Sequence, residues 1–108
     1  MPFTYIVRCS DDTLYVGYTE DLASREQTHN DGRGASYTAK RRPVRIVYAE
    51  EHGSIESAMA RERQLKRWSR EKKEALIRDD RRALDWLSHR SSKVTTAFTW
   101  RDLLKTRG

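Results

Sequence analysis

A single cysteine in a chain of 108 residues closes several options at once. Cys9 has no second cysteine with which to form an intramolecular disulfide or share a zinc site, so its thiol reads as a small strand side chain rather than a reactive group. Long apolar runs are also missing: a membrane-spanning helix needs roughly 20 consecutive apolar residues, and no stretch of this sequence approaches that. The opening MPFTYIVRCS lacks the layout of a secretory signal, which leads to an expectation of a cytoplasmic protein. Internal repeats and low-complexity segments are absent from the sequence. Its length allows one modest hydrophobic core, so any active site must sit on that core. Acidic residues are the minority charge, 16 Asp and Glu against 22 Lys and Arg, for a formal net charge of +6 and an isoelectric point of about 9.8. That balance favours a polyanionic partner, nucleic acid first and an anionic membrane surface second.

The residues that are present divide into short elements. FTYIVRC (3–9) and LYVGY (14–18) are rich in aromatic and β-branched residues and flank Ser10, Asp11, Asp12 and Thr13, a pattern that predicts a β-hairpin. Thr19 is placed to cap a helix over 20–30, with Glu20 and Asp21 in its first turn and Asn30, Gly32 and Gly34 marking its stop. The stretch DGRGASYTAKRRP (31–43) carries too many breakers for periodic structure and reads as a basic loop. Pro43 then opens VRIVYAE (44–50), a third strand whose alternation is only partial. Ser54 caps a second helix over 55–68, with Ile55, Ala58, Met59, Leu65 and Trp68 on one stripe and Glu62 in its middle. Ser69 caps another, REKKEALIRD, with Ala75, Leu76 and Ile77 facing inward. The expected fold is α+β: a small three-stranded antiparallel sheet flanked by helices, a ββαβα core over 1–79 with C-terminal helices beyond it. Residues 80–108 are an accessory helical tail, whose Trp86 and Leu87 offer a surface for a protein partner.

Four groups of residues could carry chemistry. Glu62, on a core-facing stripe, needs a partner or a metal, because a buried unpaired carboxylate costs several kcal/mol; Arg61, Arg63 or Lys66 could pair with it, or it could hold a hard divalent cation whose other ligands are water and phosphate oxygens. Arg25 and His29 are spaced i, i+4 and share a helix face with Leu22; a guanidinium grips phosphate oxygens and an imidazole relays protons near neutral pH. Tyr5 and Tyr15 lie on the two hairpin strands, and Gly17 lets backbone or ligand approach the strand end. The basic residues Lys40, Arg41 and Arg42, and later Lys66 and Arg67, could follow a phosphate backbone.

Together TYIV, LYVG, DLASREQTHN, GRGASYT, RRPVRIVYAE and SAMARERQLKRWSR resemble the GIY-YIG nuclease superfamily, and within it the small stand-alone bacterial members, over residues 3–78. Tyr5 matches the tyrosine of the GIY element, and Tyr15 and Gly17 match the tyrosine and glycine of YIG. Arg25 matches the catalytic arginine of the first helix, His29 the position one turn later, and Glu62 the helical glutamate that binds one divalent metal. The chain departs from the pattern at Phe3 and Thr4, where the GIY glycine is expected, and at Tyr18, where some family nucleases carry a lysine. The resemblance implies an endonuclease that hydrolyses DNA with Mg²⁺ or Mn²⁺, directed by substrate structure rather than sequence. A non-cleaving nucleic-acid-binding module of the same fold is the alternative.

Overall fold

The computed structural model describes residues 1–79; the expected accessory tail, 80–108, lies outside the described residues. Two strands open the chain, β1 (Phe3–Arg8) and β2 (Leu14–Thr19), paired antiparallel with Tyr5 opposite Gly17 and Val7 opposite Tyr15. The connecting turn closes through a hydrogen bond of 2.8 Å from the Cys9 N–H to the Thr13 carbonyl. Asp12 takes the left-handed conformation there (φ 69°), which short polar side chains tolerate better than most. A third strand, β3 (Arg45–Glu51), pairs with the other edge of β1, giving the order β2-β1-β3.

Because side chains alternate along a strand, the central strand must be apolar on both faces. Tyr5 and Val7 point to one side, where they pack with Leu22, Val44, Ile46 and Ala49. Ile6 points to the other, with Val16, Tyr48, Leu65, Ala75, Leu76 and Ile77. The partial alternation of VRIVYAE has a structural cause. Ile6 pairs with Tyr48 but Val7 pairs with Ile46, so Val47 is bulged out of register. Both Val47 and its neighbour Tyr48 then pack on the same side.

The first helix, α1 (Leu22–Asn30), starts two residues later than Thr19 capping would require. Its cap is Asp21, whose carboxylate accepts the Ser24 N–H at 3.0 Å. The Thr19 hydroxyl instead accepts the Asp21 N–H at 3.2 Å and ties the end of β2 to the cap. Within the expected basic loop lies a single helical turn, α2 (Ser36–Ala39). The remaining helices, α3 (Ile55–Lys66) and α4 (Arg70–Ile77), begin at the expected serine caps, Ser54 and Ser69, each of which accepts a backbone N–H at 3.1 Å. Caps of this kind stabilise a helix by about 1 kcal/mol. Leu22 brings α1 against one face of the sheet, while α3 and α4 cover the other. No described helix is long and apolar enough to cross a membrane.

The expected stripe of α3 is rotated. Its buried residues are Ala58, Arg61 and Leu65, and Glu62 lies half-buried on the flank. The charge that faces the interior is therefore Arg61, whose Nε donates to Glu50 Oε1 at 2.7 Å and whose second nitrogen donates to Gln64 at 2.8 Å. Positions 58, 61 and 65 follow the i, i+3, i+7 rule as well as the predicted set does, and the polar character of arginine masked it. Thr4 adds a further tie, its buried hydroxyl donating to the Ala58 carbonyl at 2.8 Å and joining β1 to α3.

Arg8 and Glu74 form a bidentate pair, at 2.8 and 2.7 Å, that joins the central strand to α4. The Arg8 guanidinium holds the Glu74 carboxyl below its usual 4.5. A depressed carboxyl stabilises the fold above its unfolded value and loses that contribution as pH falls through the folded one. Glu74→Gln is thus expected to lower the thermal midpoint at pH 7. The difference from wild type should shrink as the pH is lowered below 4.5, as thermal melts across the acid range would read; a difference that stays constant would exclude the pair as its cause.

Candidate active site

Three elements bring the candidate residues together. Tyr5 stands on β1 directly opposite Gly17 of β2. A Cβ added at Gly17 would lie 2.5 Å from the Tyr5 hydroxyl oxygen, so the missing side chain is the space the phenol fills. What approaches Gly17 within the fold is the Tyr5 side chain. From α1, His29 is 1% exposed and places Nε2 at 2.8 Å from the Tyr5 hydroxyl. The exposed Arg–His pair that a helix of such low hydrophobicity would allow is not what forms: burial of Leu22 turns this face inward. His29 Nδ1 lies 2.8 Å from the hydroxyl of Thr38 on α2. Gly34 passes so close that a Cβ there would overlap the imidazole.

Aromatic contacts extend the site along the sheet. The Tyr15 ring meets the His29 ring edge-on at 5.8 Å and stacks on Tyr37 at 5.9 Å with 23° between the planes. The Arg41 guanidinium covers Tyr37 at 3.8 Å. On the side of α3, Lys66 Nζ lies 5.5 Å from the centre of the Tyr15 ring and 3.3 Å from Glu62 Oε2. Of the partners that sequence allows for Glu62, Lys66 is the one that pairs with it.

The electrostatics follow from this packing. Burial pushes the Tyr5 phenol well above its usual 10; the positive charge of Arg25 opposes that shift, and Tyr15 and Glu62 add to it. Burial, and then the charge of Arg25, push the His29 imidazole below its usual 6.5. At neutral pH the pair therefore rests as a phenol against a neutral imidazole. Tyr5, Tyr15, Arg25, His29 and Glu62 thus share one electrostatic neighbourhood.

The basic residues divide. Lys40, Lys66 and Arg67 are all exposed, and of the three Lys66 reaches Glu62 and the Tyr15 ring. Arg41 donates to Asp11 at 3.0 Å and to the Tyr37 carbonyl at 2.9 Å; Arg42 donates to the Ala39 carbonyl at 3.0 Å and to the Asn30 carbonyl at 3.3 Å. Both therefore fasten the 31–43 segment to the domain. Sequence reading missed Gly34, Thr38 and Tyr37 as neighbours of the site. Only the packing of a loop against α1 and β2 joins them to it.

Among the described residues no cluster of three or more His, Cys, Asp or Glu side chains forms, which is the donor set a structural zinc site would use. The half-buried Glu62 carboxylate, with one ion pair at 3.3 Å, fits a hard cation that completes its shell with water and phosphate oxygens. A sequence profile of the GIY-YIG catalytic domain matches residues 1–75. The chain belongs to the GIY-YIG family.

This GIY-YIG domain is 47% identical to the UPF0213 protein YazA of Bacillus subtilis strain 168 over 79 residues, which span 73% of this chain and 80% of YazA. A UPF0213 protein of Staphylococcus aureus strain Mu3 is also 47% identical, over 77 residues that span 71% of this chain and 94% of the relative. The solution NMR structure of the UPF0213 protein BH0048 from Bacillus halodurans shares 36% sequence identity, covers 86% of this chain and 100% of its own, and has a TM-score of 0.48. Membership puts the GIY-YIG chain in a nuclease family and carries nucleic acid as its substrate class.

Proposed function

We propose that this GIY-YIG domain is a metal-dependent endonuclease that hydrolyses phosphodiester bonds in DNA, directed by the structure of its substrate rather than by its sequence. The observation that carries the reading is the buried 2.8 Å hydrogen bond between Tyr5 and His29, set beside Arg25 and Glu62. A phenol is too weak a base to activate water unless its own proton has somewhere to go. His29 Nε2 is that destination: the Tyr5 hydroxyl passes its proton to Nε2 while its oxygen takes one from the attacking water. Both tyrosine rings meet the imidazole in T-shaped contacts, but the hydrogen bond to Nε2 is made by Tyr5, which supports Tyr5 as the base and Tyr15 as a wall that orients it. Arg25 stabilises the charge that builds on the phosphate. Glu62 would hold Mg²⁺ or Mn²⁺, which when bound supplies Lewis-acid neutralisation of the scissile phosphate. Lys66, 3.3 Å from Glu62, would meet a phosphate oxygen of the bound strand. Residues 1–79 form the nuclease unit in this reading, and 80–108 its accessory tail.

A panel of labelled single-stranded, duplex, flapped and branched DNA, incubated with Mg²⁺, Mn²⁺ or EDTA, tests the proposal. Products are expected with either cation, absent in EDTA, and concentrated on one substrate shape. Salt-sensitive binding with no product on any member of the panel would instead establish a non-catalytic binding module.

A further inference from the structure

The segment that reads in sequence as a basic loop supplies the second hydrogen-bond neighbour of His29. Thr38 is fully buried, and its one hydroxyl hydrogen is already committed: Oγ1 lies 2.9 Å from the Ala35 carbonyl oxygen, an atom that only accepts. Two oxygens at that separation with no hydrogen between them would repel. At the same time Oγ1 lies 2.8 Å from His29 Nδ1. Having no second hydrogen to give, the hydroxyl meets the imidazole with a lone pair, and Nδ1 must carry the hydrogen. A neutral imidazole carries only one, so Nε2 is bare and faces the Tyr5 hydroxyl at 2.8 Å as an acceptor.

We infer that Thr38 is a positioning residue that holds His29 in its Nδ1–H form, keeping Nε2 free to receive the Tyr5 proton. The inference rests on the reading of Tyr5 and His29 as the proton-handling pair. In the opposite form an N–H would point at the Tyr5 oxygen, and the transfer that breaks the Tyr5 O–H bond and makes the Nε2–H bond would have no acceptor. The same chain serves the product of that transfer: the imidazolium keeps its Nδ1–H on Thr38, and Thr38 keeps its hydrogen on Ala35. Gly34 reinforces the arrangement, since the lack of a Cβ lets its backbone close over the ring and pin its rotation. The two ring nitrogens are met from different elements, Nε2 by Tyr5 on β1 and Nδ1 by Thr38 on α2.

Thr38→Val fills the same volume without the hydroxyl, and the Ala35 carbonyl it leaves still accepts the Ala39 N–H at 3.0 Å. Long-range ¹H–¹⁵N NMR of the full chain reads which ring nitrogen of His29 is protonated. The wild type is expected to show Nδ1–H with a bare Nε2, Thr38→Val a shift towards Nε2–H, and Thr38→Ser the wild-type pattern. In cleavage assays Thr38→Val is expected to lose on the order of 10- to 100-fold in kcat with KM little changed, and Thr38→Ser to restore the rate. An Nε2–H signal in the wild type, which requires no variant to fold, would overturn the inference. So would a Thr38→Val protein that shifts its tautomer and keeps its rate, or that keeps both. The expected tautomers without cleavage in any protein would uphold the Thr38 contact and overturn the nuclease reading alone.

Discussion

Glu62→Gln is expected to lower metal-dependent cleavage by about 10³-fold or more while leaving the fold intact. The stability side is simple. Glu62 is half-buried and its ion pair with Lys66, an i, i+4 contact at 3.3 Å, is of a kind worth about 0.3–0.5 kcal/mol, so the isosteric amide changes little. The activity side distinguishes two roles for the same carboxylate. The negative charge of Glu62 helps push the Tyr5 phenol up, so removing it makes Tyr5 easier to deprotonate. If Glu62 acted on the reaction only through that field, the glutamine variant would be as fast as wild type or faster. A carboxylate that holds the cation predicts the opposite, together with loss of cation binding. Single-turnover rates across a Mg²⁺ titration, with calorimetry of cation binding to both proteins, separate the two. A glutamine variant with undiminished rates would remove Glu62 from the site.

The largest expected effect on stability lies on the other face of the same helix. Glu50 is 4% exposed and Arg61 is 7% exposed; beyond Arg61, Glu50 accepts a hydrogen bond from the Tyr48 hydroxyl and has His52 Nε2 at 3.0 Å. Removing one member of such a pair strands a buried charge, which costs about 3–5 kcal/mol. Arg61→Met should lose roughly that much, a large share of the 5–15 kcal/mol that holds a domain of this kind together. The hydrophobic replacement keeps an apolar side chain against the Trp68 ring, which the Arg61 guanidinium covers at 5.1 Å, so the loss would be electrostatic rather than volumetric. Adding Glu50→Gln to the same protein removes the stranded charge and should recover much of the difference. Urea melts of the wild type, Arg61→Met, Glu50→Gln and the double variant form the test. An Arg61→Met variant within 1 kcal/mol of wild type, or a double variant that loses the sum of the two single effects or more, would show that the pair carries no such coupling.

Local chemistry was legible in the order of residues. β-Branched and aromatic runs around a four-residue polar turn set the hairpin and serine at the right offset set two helix starts, whereas Tyr5, Tyr15, Arg25, His29 and Glu62 stood out as one set only through their resemblance to the GIY-YIG motif. The hairpin and helix signals act over a few residues, or repeat with a period of 2 or 3.6, and periodic signals survive in one dimension. Other features depended on what each element met in space. The bulge at Val47 follows from packing β3 against two cores at once, and the rotation of α3 that buries Arg61 requires Glu50, eleven residues earlier, to receive it. Arg41 and Arg42 look like free cations in sequence because their acceptors, Asp11 and backbone carbonyls, are selected by the path of the 31–43 segment. Thr38 and Gly34 closing on His29 leave no pattern at all. Contacts of that kind are chosen by shape and hydrogen-bond geometry between elements, and only the folded chain brings those elements together.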